Sequence, residues 1–202
     1  MLQTKDIQHW FEAKSWKIHP FQEKVWSHFE NGKHGLLNAP TGSGKTLALW
    51  MPICKQISQH PSKKSGLKAL WITPLKALSQ EIELSTQEVV DDLKLDISIG
   101  IRTGDTPNAV RAKQRKKMPD LLITTPESLH LLMSSKQMQQ QFKDCCAIVI
   151  DEWHELMGSK RGVQIELALS RLKNCCSNLR IWGISATIGN IDQAKEVLLG
   201  PE

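Results

Sequence analysis

Six short apolar runs punctuate the chain, at Leu36–Asn38, Ala69–Thr73, Ile97–Ile101, Leu121–Thr124, Ala147–Ile150 and Ile181–Ser185. Each is nearly continuous rather than alternating, as expected of strands buried on both faces. Between them lie longer stretches whose apolar residues recur at three- and four-residue spacing. They predict helices over residues 21–30 (Phe21, Val25, Trp26, Phe29), 45–59, 75–91 (Leu75, Leu78, Ile82, Val89) and 161–174 (Val163, Ile165, Leu167, Leu169, Leu172). Strands alternating with helices predict a three-layer α/β domain with a mainly parallel central sheet. Ligands of such sheets bind at the carboxyl ends of the strands. Residues 1–19 are polar apart from scattered aromatics, Trp10, Phe11 and Trp16 among them, and read as an arm or short helix packed on a domain spanning residues 20–202.

Composition narrows the picture only slightly. The 202 residues suit one large domain, a size whose core needs neither disulfides nor a structural metal. The net charge of +5 fits an anionic partner or an ordinary basic surface equally well. Arg111, Lys113, Arg115, Lys116 and Lys117 form the densest basic cluster, readable as a solvated helical face or as a phosphate contact. Five cysteines include no C-x-x-C pair, which argues against a zinc site and fits free thiols in a reducing cytoplasm. The amino terminus lacks the apolar core of a secretory signal, and no run is long enough to span a membrane.

The chemistry lies in two local patterns. Ala39-Pro40-Thr41-Gly42-Ser43-Gly44-Lys45-Thr46 follows a strand and opens a helix, matching the phosphate-binding loop with Ala39 in place of the first glycine. Gly42 and Gly44 let backbone amides of Thr41–Lys45 curl around phosphate oxygens. The helix N-terminus adds a favourable dipole, Lys45 reaches the β- and γ-phosphates of ATP, and the Thr46 hydroxyl ligates Mg²⁺. The second pattern is Ile148-Val149-Ile150-Asp151-Glu152-Trp153-His154, a buried strand ending in two acids. Asp151 suits Mg²⁺, and Glu152 suits the orientation and deprotonation of an attacking water. Of the seven tryptophans, Trp50, Trp71 and Trp182 are expected in the core, with Phe21 and Trp26. Trp153, beside the acids, is expected to be exposed.

With the phosphate loop ahead of it, Asp-Glu-x-His resembles the DExH-box helicases of superfamily two. Pro20-Phe21-Gln22 resembles their glutamine motif, Thr73-Pro74-Leu75-Lys76-Ala77-Leu78-Ser79-Gln80 motif Ia, Thr124-Thr125-Pro126-Glu127-Ser128-Leu129 motif Ib, and Ser185-Ala186-Thr187 motif III. Asp151–Leu156 followed by Arg161-Gly162-x-Gln164-x-Glu166, with Arg102-Thr103-Gly104-Asp105-Thr106 and Trp182–Asn190, looks like the large helicase-related (Lhr) group. The opening is similar to bacterial Lhr-type helicases associated with an ATP-dependent DNA ligase.

That resemblance implies a RecA-like ATP-binding domain and a set of roles. Gln22 would read adenine, and His154 with Ser185 and Thr187 would couple nucleotide state to domain movement. The loops holding Pro74, Lys76, Arg102, Thr103, Gly104, Thr125 and Pro126 would track one nucleic-acid strand, although turn chemistry alone also explains them. Arg161, Gln164 and Glu166 read either as a brace beneath the nucleotide or as surface helix residues. The implied activity is ATP-driven movement along single-stranded or tailed DNA, 3′ to 5′ and linked to repair. RNA as the track, a nucleotide switch without motor activity, and an ATPase that never meets nucleic acid are the alternatives. A second RecA-like domain, with its arginine fingers, is expected outside these residues. The isolated chain is expected to be a monomer of weak activity.

Overall fold

The computed structural model describes residues 1–59, 66–135, 137–186 and 191–200. Six strands form one sheet: β1 Gly35–Asn38, β2 Ala69–Ile72, β3 Ile99–Arg102, β4 Leu121–Thr124, β5 Ala147–Ile150 and β6 Arg180–Ser185. Their spatial order is β1-β6-β5-β2-β4-β3, and every pairing is parallel. Helices α1 Thr4–Ala13, α2 Pro20–Glu30, α3 Lys45–Gln59 and α4 Lys76–Asp92 are followed by α5 Asn108–Lys116 and α6 Pro126–Met133. The series ends with α7 Met138–Phe142, α8 Trp153–Leu156, α9 Lys160–Cys175 and α10 Ile191–Leu199.

Successive strand residues point to opposite faces, and the two faces build two separate cores. In β2, Ala69 and Trp71 enter one hydrophobic cluster while Leu70 and Ile72 enter the other. In β5, Ala147 and Val149 divide from Ile148 and Ile150 in the same way. Helices α1 to α4 cover the first face and α6 to α10 the second, so three layers follow from period-two strands that are apolar at both phases. Helix α1 belongs to the first core, where Ile7, Trp10 and Phe11 are buried and the Trp10 indole donates to Asp92 Oδ2 at 2.9 Å. The five cysteines are free thiols.

Strand β3 starts two residues later than the apolar run from Ile97 predicts. Ser98 is held by Asp120, whose Oδ2 accepts from both the Ser98 backbone N–H (2.8 Å) and its hydroxyl (2.6 Å). This shift sets Arg102 opposite Thr124 at the strand tip. Trp153 corrects another expectation. It is fully buried in the second core, and its indole donates to the Ala194 carbonyl of α10 at 3.0 Å. Trp50, Trp71, Trp182 and Trp26 are core residues as expected. Phe21 packs at the edge of the first core, stacked on His19.

Two small features set the start of α9. The Ser159 hydroxyl caps the helix by accepting from the Gly162 N–H at 3.1 Å. A Cβ at Gly162 would overlap the Leu156 carbonyl oxygen, so only glycine lets α9 begin directly against the end of α8. Gly162→Ala is therefore expected to destabilise the domain by about 1–3 kcal/mol, the usual cost of forcing extra volume into a packed site. A urea midpoint equal to wild type would show that the backbone yields here.

Candidate functional site

Parallel pairing brings every strand's carboxyl end to one edge, and the motifs line up along it in two groups. The β1, β6 and β5 tips carry the phosphate loop, Ser185 and the Asp151–Glu152 pair. The β2, β4 and β3 tips carry the loops beginning at Thr73, Thr125 and Thr103.

In the first group, residues 39–44 turn from β1 into α3. Gly42 and Gly44 have φ of +77° and +84°, the left-handed region where a side chain is disfavoured. The loop is tied on three sides. Ala39 N–H donates to the Ser185 carbonyl at 3.1 Å. The Lys45 ammonium donates to the Ala39 and Pro40 carbonyls at 2.7 and 3.0 Å. Gln22 Nε2 donates to the Gly44 carbonyl at 3.1 Å, while its Oε1 accepts from the His19 N–H at 2.9 Å. Gln22 is thus buried, with its amide joining the start of α2 to the phosphate loop. Ser43 Oγ is buried without a hydrogen-bond partner, and Thr41 and Gly42 are exposed.

The acids sit one strand beyond β6. Glu152 adopts φ 47°, ψ 45°, a left-handed conformation rare for a side-chain-bearing residue. Its N–H donates to Asp151 Oδ1 at 3.0 Å. Such backbone strain costs on the order of 1–3 kcal/mol and persists where the surroundings hold it. Immediately beyond, His154 Nδ1 lies 2.8 Å from Ser185 Oγ and 3.4 Å from Glu152 Oε2. His154, Glu152 and Ser185 therefore form one polar chain across β5 and β6. Thr187 lies outside the described residues.

In the second group, Pro74, Thr103, Thr125 and Pro126 are buried. Thr103 N–H donates to Thr106 Oγ1 at 2.9 Å, and Thr125 Oγ1 lies 3.4 Å from Ser128 Oγ, so both threonines build turns. Gly104 is exposed, Arg102 is half-buried, and Lys76 is exposed in an ion pair with Asp105 at 2.8 Å. Burial lowers the Arg102 pKa, with Arg111 and Arg115 pushing the same way. Two further arginines contribute through partners that the motifs do not specify. Arg111, from the basic cluster, donates through Nη2 to the Thr103 and Gly104 carbonyls at 2.9 and 2.7 Å and so shapes their loop. Arg161 pairs through Nε with Glu127 Oε1 at 2.6 Å, and its Nη1 approaches the Pro74 carbonyl at 3.5 Å. A cavity of about 1170 Å³ lies at the other end of the sheet against Trp10, Lys68 and Asp120.

The residues suit a nucleotide with Mg²⁺. No cluster of three or more metal-binding side chains exists among the described residues. One hydroxyl (Thr46) and one carboxylate (Asp151) fit a hydrated cation that arrives with phosphate oxygens. Asp151 is 9% exposed, and burial, aided by the Glu152 carboxylate, pushes its carboxyl up to about 6. The Glu152 N–H and the Lys45 ammonium pull the other way. A carboxyl raised from 3.8 to about 6 binds its proton more tightly when folded. Its ionisation thus erodes stability as pH climbs from the lower value through the upper, by roughly 3 kcal/mol at most. Asp151→Asn is expected to raise the thermal midpoint of the nucleotide-free protein at pH 7.5, with most of the gain gone by pH 4. An equal gain at both pH values would show that charge is not its cause.

Residues 19–194 match the DEAD/DEAH box helicase family. The chain is 34% identical over 208 residues to the ATP-dependent helicase Lhr-Core of Sulfolobus acidocaldarius, a match covering 98% of this chain and 24% of that protein. Its fold is similar to that of Mycobacterium smegmatis helicase Lhr bound to ssDNA and AMP-PNP (TM-score 0.83, 31% identity, 96% of this chain and 26% of that one). It is likewise similar to the DUF1998 helicase MrfA bound to DNA and AMPPNP (TM-score 0.85, 28% identity, 99% and 29%). The chain spans about a quarter of the length of these relatives. Among the described residues no helix is long and apolar enough to cross a membrane. With the family matched across most of its length and Lhr-type helicases among its relatives, the chain belongs to the DEAD/DEAH box helicases and forms a RecA-like domain of that family.

Proposed function

We propose that this chain is the ATP-binding motor domain of a helicase that hydrolyses ATP to move along single-stranded DNA. One observation carries the reading. The phosphate-loop lysine and the Asp151–Glu152 pair lie at the same edge of the sheet, after β1 and β5 with only β6 between them. In use, Lys45 exchanges the Ala39 and Pro40 carbonyls for the β- and γ-phosphates, which hold the same kind of acceptor with more charge. The Thr41–Lys45 amides cradle the phosphates at the N-terminus of α3. Gln22 touches the loop through Gly44 and thereby links adenine recognition to its shape. Thr46 and Asp151 would hold Mg²⁺, which would supply positive charge beside the phosphates. Glu152 orients the attacking water and accepts its proton. His154 and Ser185 pass the state of Glu152 to β6.

The second group of loops follows the track. Gly104 is exposed, while Lys76 and Arg102 provide cationic heads near buried turns. Such a surface suits phosphate contacts that carry no sequence code. DNA-bound relatives support DNA as the track. The resemblance to Lhr-type helicases supplies the direction, 3′ to 5′, and the setting in DNA repair. A second RecA-like domain in the complete protein would close the cleft and bring arginine fingers, worth roughly 10³–10⁵ in rate in phosphoryl transfer. The chain alone is accordingly proposed to be a monomer that hydrolyses ATP poorly.

The test is ATP hydrolysis by the complete protein with and without single-stranded DNA or RNA. DNA is expected to raise the rate several-fold, and Lys45→Ala to lower the stimulated rate at least about 100-fold, the scale on which a positioned charge acts in the transition state. Stimulation by RNA alone would reassign the track. Hydrolysis indifferent to both polymers would leave a nucleotide switch.

A further inference from the structure

One charged side chain spans the two groups of loops. Arg161 stands in the first turn of α9, a few residues beyond the Asp151–Glu152 acids and α8, on the segment that leaves the ATP half of the edge. Its guanidinium reaches the other half. Nε pairs with Glu127 at the start of α6, behind the β4 tip, and Nη1 approaches the carbonyl of Pro74, behind the β2 tip. The sheet order places β5, β2 and β4 side by side, so three neighbouring strand tips meet on this one group. The root of Arg161 is fixed by the Ser159 cap and by the close approach of Gly162 to Leu156. Its head is planar and offers donors in a rigid fork, which lets one residue hold a carboxylate and a carbonyl at a set spacing.

The contact is not chiefly a stability device. Both side chains are about half exposed, 49% and 50%, where an isolated ion pair contributes little to folding. Glu127 lies two residues beyond Thr125, and its carboxyl is held below the usual range. Burial opposes this, while the helix-end backbone, Thr125 and Arg161 together outweigh burial. The anchored carboxylate and the fixed arginine therefore set the separation of the two loops that carry Pro74–Lys76 and Thr125–Pro126.

We propose that Arg161 is a positioning residue that fixes the spacing of these two loops for the phosphates of one nucleic-acid strand and ties that spacing to the segment following Asp151–Glu152. This rests on the reading of the second group of loops as the track. A direct phosphate contact by Arg161 would make Glu127 a competitor for its charge; a brace makes Glu127 a necessary partner, and the two roles differ in sign.

The experiment measures the single-stranded DNA concentration that half-saturates ATP hydrolysis by the complete protein, for wild type, Arg161→Ala, Glu127→Gln and the double variant. Thermal midpoints serve as the check on folding, and KM for ATP is measured alongside. The brace requires both single variants to raise the half-saturating concentration about 3- to 10-fold without a matching change in KM for ATP. The double variant should be no worse than the singles, because both remove one interaction. Tighter DNA binding by Glu127→Gln, a wild-type value for Arg161→Ala, or a double variant at the product of the two singles each overturns the brace while leaving the track in place. A wild-type protein that responds to neither DNA nor RNA overturns the track and the brace together.

Discussion

The structure depends on parallel pairing. An all-parallel sheet must send every strand in the same direction, so each strand's last residue and the loop after it emerge at one edge. Helices must then return the chain, and those helices cover both faces. Chemistry collected at that edge rests on strands buried on both sides: every residue of β2, β4 and β5 is buried. Such strands move little, and the residues at their tips inherit that rigidity. The edge strands β1 and β3 are more exposed, and β1 carries the phosphate loop with its two left-handed glycines.

Strand order brings distant segments together. Strands β2, β3 and β4 follow one another in the chain and stay neighbours in the sheet, whereas β1 lies beside β6, far from it in sequence. β1, β6 and β5 present the phosphate loop, Ser185 and the acids, and hydrogen bonds from Ala39 to Ser185 and from Ser185 to His154 join all three. The strain at Glu152 belongs to this arrangement. A left-handed residue directly after β5 turns the chain sharply into α8, so that Trp153 enters the second core while the Glu152 carboxylate stays within 3.4 Å of His154.

Much of this was legible in the residues because the strongest signals are local and physical. Continuous apolar runs marked all six strands, and the glycines flanking Ser43 marked a loop that needs φ above zero at both of them. The helices that went unread, α6, α7, α8 and α10, have eight, five, four and nine residues. They are too short for a three-to-four-residue period to stand out. Trp153 misled because proximity to two acids suggested exposure, whereas a single change of backbone handedness at Glu152 buried it. Arg161 acts through the Glu127 carboxylate and the Pro74 carbonyl, both distant in sequence, and Arg111 through the Thr103 and Gly104 carbonyls of the preceding loop; no motif spacing reports contacts of either kind.

Lys45 shows what a binding loop does between visits of its ligand. A bare ammonium in a half-desolvated loop would be costly. Here it rests on the Ala39 and Pro40 carbonyls, which act as an internal stand-in for phosphate oxygens. If the loop binds nucleotide as proposed, the ammonium would exchange one set of acceptors for another instead of creating and abandoning a charge contact. Exchange of this kind narrows the energy difference between the two arrangements, sacrificing tight retention for ease of departure. In the motor proposed above, that would be a bias toward turnover.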